Sequence, residues 1–74
     1  MNFHFDLEAG WFVRKNVRRQ LQNSKEKLEF EYPDCKVLLT ENDGYFHFQA
    51  KNIPDSEEIR MRNWIQIIKK IAND

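Results

Sequence analysis

From Leu28 onward the chain alternates between apolar and polar residues with a period of two. Leu28, Phe30 and Tyr32 are separated by Glu29 and Glu31, which predicts a strand with one dry and one wet face. Pro33-Asp34 breaks that run with turn chemistry. A second strand follows around Val37 and Leu39, flanked by Lys36, Leu38 and Thr40. Asp43-Gly44, after Asn42, supplies the positive φ angles of a two-residue hairpin turn and is the strongest local signal in the chain. Tyr45 to Ala50 then reads as an aromatic-rich third strand.

The two turns can be tested against each other. With Asp43-Gly44 at one bend, Glu41 faces Phe46, Leu39 faces Phe48 and Val37 faces Ala50. With Pro33-Asp34 at the other, Phe30 faces Val37 and Leu28 faces Leu39. Both hairpins put Leu28, Phe30, Val37, Leu39, Phe48 and Ala50 on one face, and a slip of one residue in either would undo the agreement. The wet face takes Glu29, Glu31, Lys36, Leu38, Thr40, His47 and Gln49.

Phe3, Phe5 and Leu7 alternate with Asn2, His4 and Asp6. This segment is expected to be a fourth strand on an edge of the meander, or an extended arm. Trp11 to about Ser24 reads as a helix, because Val13, Val17 and Leu21 recur every four residues. Arg14, Lys15, Arg18 and Arg19 cover its opposite side, with Trp11 among them and Phe12 beside them. The alternative is a helix that runs on through Leu28 and shortens the first strand. A second helix is expected after Ile53-Pro54, with Asp55 as N-cap and Glu58 completing a capping box. Glu57 and Glu58 suit its N-terminal end, and Lys69 and Lys70 its C-terminal end. Met61, Trp64, Ile65, Ile68, Ile71 and Ala72 make its apolar face, with Ile67 at the margin. Ile59 falls off that face and is expected to fold back on Ile53 or Pro54.

Seventy-four residues predict one small α+β domain over residues 1–74. Its expected architecture is a three-stranded antiparallel meander, or four strands with the N-terminal segment, packed against two helices in the order (β)-α-β-β-β-α. Twelve basic and twelve acidic residues cancel, so net charge gives no global pull toward nucleic acid or membrane. The single cysteine, Cys35, excludes an internal disulfide framework and a cysteine-based zinc site. No apolar run approaches the roughly 20 residues that span a bilayer, and the N-terminus lacks the pattern of a secretory signal. The expectation is a cytoplasmic protein with no cofactor, no metal and no membrane attachment.

Charge becomes informative when it is read locally. From Arg14 to Lys27 there are six basic residues and one acidic, whereas from Leu28 to Gly44 there are five acidic and one basic. The molecule is therefore expected to be electrostatically polar. Three constellations are candidates for function. Trp11, Arg14, Lys15, Arg18 and Arg19 combine phosphate-binding charge with a stacking ring, against the plainer reading of a solvated helix face. Leu38, Tyr45, His47 and Gln49 form an exposed sheet face suited to a peptide or single-stranded RNA, against an ordinary half-covered sheet. His47, with His4, could serve as a general base, but no nucleophile or carboxylate pair is spaced to join it. Cys35 sits at a turn with no flanking cationic pair to lower its pKa.

The order helix, three-stranded meander, helix resembles the layout of double-stranded-RNA-binding domains and of HicA-type toxin ribonucleases. The resemblance is one of layout. Glu57 and Glu58 stand where the RNA-binding domains carry lysines. Tyr32-Pro33-Asp34-Cys35 stands in place of their Gly-Pro-x-His loop. Gly44-Tyr45-Phe46-His47 only loosely matches the toxins' Gly-Ser and catalytic histidine. The functional expectation is thus a non-enzymatic protein-interaction module whose partner is a protein or a second copy. Nucleic-acid binding through the first helix is the alternative, and a small ribonuclease using His47 comes third.

Overall fold

The first helix is longer than its apolar repeat suggests, and its length decides the architecture. In the computed structural model, which describes residues 1–73, α1 runs Arg14–Glu31. Val17, Leu21 and Leu28 lie buried along one side of it. Leu28 follows Leu21 by seven residues, two helical turns, so it falls on the same stripe. The segment that alternates like a strand is also a run of good helix formers. Gln22 bonds Glu26, Lys25 bonds Glu29, and Lys27 lies 4.0 Å from Glu31, all at i,i+4 spacing. Extending a formed helix needs no new nucleus, so the helix absorbs residues 28–31. Phe30, expected in the core, is instead 87% exposed. Pro33 ends the helix by forcing Tyr32 out of the helical region, to φ −127° and ψ 90°.

The sheet therefore takes its third strand from the N-terminus. Strands β1 (Phe3–Glu8), β2 (Lys36–Asn42) and β3 (Tyr45–Lys51) form one antiparallel sheet in the order β1-β3-β2. With helix α2 (Glu58–Ala72), the chain is an α+β fold of three strands and two helices, in the order β-α-β-β-α. The β2–β3 register is the one expected, with Glu41 opposite Phe46, Leu39 opposite Phe48 and Val37 opposite Ala50. The turn between them has φ 50° at Asp43 and φ 86° at Gly44, the two positive angles of a type I′ bend. On the other side of β3, Phe3 faces Ala50, Phe5 faces Phe48 and Leu7 faces Phe46. The layout expected from double-stranded-RNA-binding domains is not reproduced, because the strand following the first helix is replaced by helix and a strand precedes it.

Both helices cover the same face of the sheet. Phe5, Leu7, Phe46, Phe48 and Ala50 pack there against Val17, Leu21, Leu28, Met61 and Ile68. An aromatic group sits at its centre. Phe5 stacks on Phe48 at 5.3 Å between ring centroids, and Trp64 meets them edge-on at 5.5 and 5.2 Å. Such offset and T-shaped arrangements add to the gain from burial. Trp64, Ile65 and Ile71 are half-buried against this core.

The start of α2 departs from the capping-box pattern. Residues Asp55–Glu57 wind a single 3-10 turn before the helix, and no side chain caps it. Asp55 lies 3.3 Å from the Met1 ammonium, Glu58 binds Arg62 at 2.9 Å, and Glu57 accepts a hydrogen bond from the Tyr32 hydroxyl. That bond, followed by burial, raises the Tyr32 pKa above its ordinary value. Ile59 does not fold back on Ile53 or Pro54, for it is 75% exposed.

Candidate functional site

With both helices on one side, the other face of the sheet is bare among the described residues. It carries the even-numbered residues of β1 and β2 and the odd-numbered ones of β3, in cross-strand rows. Lys36 faces Lys51. Next comes Leu38-Gln49-His4, then Thr40-His47-Asp6, then Asn42-Tyr45-Glu8. The four residues expected on an exposed sheet face, Leu38, Tyr45, His47 and Gln49, are therefore brought together, with Leu38 and Tyr45 well exposed. His47 Nδ1 lies 2.6 Å from Asp6 Oδ1, so its ring orientation is set by a neighbouring strand. An open depression of ≈ 530 Å³ is lined by residues including Asp6, Thr40, Tyr45 and His47. His4 sits one row away, opposite Gln49.

The face is graded in charge. One end carries two lysines directly opposite each other, an arrangement that costs stability in a sheet. The other end carries Asp6 and Glu8. Lys36 and Lys51 are not among the residues expected at a site, although the hairpin register that aligns Val37 with Ala50 also aligns them. Asp6 could not be found that way, because nothing local specifies which strand β1 joins.

The basic residues of α1 have other tasks. Arg18 makes a two-pronged contact with Glu41, Nε to Oε1 at 2.5 Å and Nη2 to Oε2 at 2.7 Å. The bonds from Arg18 hold the Glu41 carboxyl below its ordinary pKa and raise that of Arg18. Arg14 lies 3.3 Å from Asp43 and has its guanidinium 5.4 Å from the Trp11 ring centroid. It also packs on Gly44, where an added Cβ would come within 2.4 Å of Nη2. The uneven charge read from the sequence thus folds back on itself, with the acidic hairpin neutralising half of the basic helix face. Arg19 bonds Asn16 at 3.2 Å, and Lys15 projects into solvent. Trp11 and Phe12 lie in the turn before the helix and are 75% and 95% exposed.

Cys35 is buried, 3% exposed, and burial raises its thiol pKa, with Glu29 adding to the effect. Among the described residues, no three His, Cys, Asp or Glu side chains converge as a metal would need. No helix among them is long and apolar enough to cross a membrane. No known protein family, curated protein or solved structure matches the chain.

Proposed function

We propose that the protein is a non-enzymatic interaction module that docks a protein partner on the bare face of its sheet. The observation that carries this reading is the asymmetry of the layers, in which both helices pack on one face and leave the other open. That face offers two apolar anchors, Leu38 in the row beside the lysine pair and Tyr45 in the row with Glu8 at the acidic end. Aromatic and aliphatic anchors amid polar groups are what a modest, specific interface uses. The charge gradient favours a partner surface with acidic residues against Lys36 and Lys51 and basic residues against Asp6 and Glu8. Engagement of Arg14 and Arg18 by the hairpin carboxylates weakens the case for phosphate binding along α1.

Affinity capture from an extract of the source cells tests the reading, with immobilised wild type beside Leu38→Glu and Phe30→Ser variants. A partner held by wild type and by Phe30→Ser, but lost from Leu38→Glu, supports docking on the bare face. Capture that ignores Leu38→Glu overturns it. In a parallel NMR titration with a mixed RNA pool, salt-sensitive shifts confined to Lys15 and Arg19 would move the protein to the nucleic-acid class.

A further inference from the structure

The two edges of the sheet are not alike. Along β2, helix α1 packs closely. The Arg18–Glu41 pair straps the helix to that strand, and the Glu29 carboxyl, held below its ordinary pKa chiefly by Lys25, lies near the Val37 backbone. Among the described residues no ion pair or backbone hydrogen bond occupies the outer edge of β1, although the last turn of α2 (Lys69, Ala72, Asn73) flanks its Asp6–Glu8 end. Strand β1 also lacks the lysine, proline or bulge with which sheets commonly blunt an edge.

Which backbone groups β1 turns outward follows from its pairing. Ala9 donates its N–H to the Gly44 carbonyl at 2.9 Å, in line with the register that joins Glu8 to Tyr45. Antiparallel ladders alternate, so Leu7, Phe5 and Phe3 also turn their backbone groups to β3. His4, Asp6 and Glu8 turn theirs out to the free edge.

We infer that β1 pairs with β1 of a second copy, antiparallel about a two-fold axis at Phe5, to make one six-stranded sheet. The inference rests on reading the chain as an interaction module and supplies one partner, itself. In this register His4 faces Asp6 of the other copy, and each such pair exchanges both backbone hydrogen bonds. His4 and Asp6 share the bare face, so an imidazole meets a carboxylate twice. On the helix face, Phe3 meets Leu7 and Phe5 meets its own copy, at the non-hydrogen-bonded positions where side chains lie closest. The register centred on His4 opposes the two His4 side chains, and the one centred on Asp6 pairs His4 with Glu8 but sets the two Asp6 carboxylates against each other. Such a contact is isologous and closed, as a two-fold dimer requires. It also joins two bare faces into one continuous surface.

Sedimentation of the intact chain across a concentration range tests the pairing. Wild type should approach the mass of two 9.0 kDa chains as concentration rises. His4→Pro removes an outward N–H that β3 does not use, and His4→Glu sets two carboxylates opposite each other. Each should weaken the dimer at least about tenfold, whereas His4→Gln, which still donates to Asp6, should retain it. Circular dichroism and melting checks that the variants fold, and His4→Glu carries the test if His4→Pro does not. Isotope-filtered NMR on a mixed labelled and unlabelled sample should find contacts between Phe5 rings of the two copies. A wild type that stays monomeric into the millimolar range, or a dimer indifferent to His4→Glu, overturns the pairing. Leu38→Glu should leave the dimer intact while abolishing partner capture, so the two readings fail separately.

Discussion

Strand β3 carries aromatic residues on both of its faces, and the two sets have opposite fates. Phe46 and Phe48 point under the helices and are almost wholly buried, while Tyr45, one residue away, stands in solvent on the face it shares with the half-buried His47 and Gln49. Propensity treats these residues alike, since aromatic side chains favour strands wherever they point. What separates them is which side the helices cover. One face of the strand is committed to holding the molecule together, and the other is free to be chosen for something else.

The largest contrast comes from truncating one ring on each face. Phe48→Ala removes a fully buried ring that touches Phe5 and Trp64. It should cost about 3–5 kcal/mol, enough to threaten the fold of so small a domain. Tyr45→Ala should stay within a few tenths of a kcal/mol of wild type, as surface changes usually do. Urea melts of the two variants measure the difference. If Phe48→Ala melts like wild type, the division of labour between the faces is wrong.

Gly44→Ala should fall next, at about 1–3 kcal/mol, because the residue holds a positive φ and its new Cβ would collide with Arg14. The same melts report it. The smallest effect concerns the strap between α1 and β2. Glu41 and Glu29 have folded-state pKa values below their ordinary ones. Each contributes stability that is present above the ordinary carboxylate pKa of about 4.3 and lost as pH falls through the lower folded value. Melts across the acid range should therefore show declining stability there, and Glu41→Gln should make that decline shallower. An unchanged acid limb would mean that the Arg18 contact contributes nothing in solution.

Much of this architecture was legible in the sequence, and the exception has a physical cause. The Asn42-Asp43-Gly44 turn fixed the β2–β3 register, because only certain residues tolerate two consecutive positive φ angles. The apolar face of α2 was legible for the ordinary reason of its helical period. Residues 28–32 misled because Leu-Glu-Phe-Glu-Tyr satisfies a period of two, while Leu28 also lies two turns from Leu21. Over five residues the two periods cannot be told apart. The deciding facts were a helix already under way and the i,i+4 pairs that extend it. The bare face was half legible. The hairpin specified Leu38, Tyr45, His47 and Gln49, but Asp6 and His4 joined them through a pairing between residues more than forty positions apart, which no local pattern encodes.

Cys35 has a use that its chemistry alone would not suggest. It is the single thiol of the chain, and it lies buried where α1 gives way to β2. A thiol-reactive dye can reach it only when that junction parts, so the labelling rate in native buffer counts opening events directly. The protein thus carries an internal clock for its own breathing, readable by mass spectrometry without introducing a foreign probe.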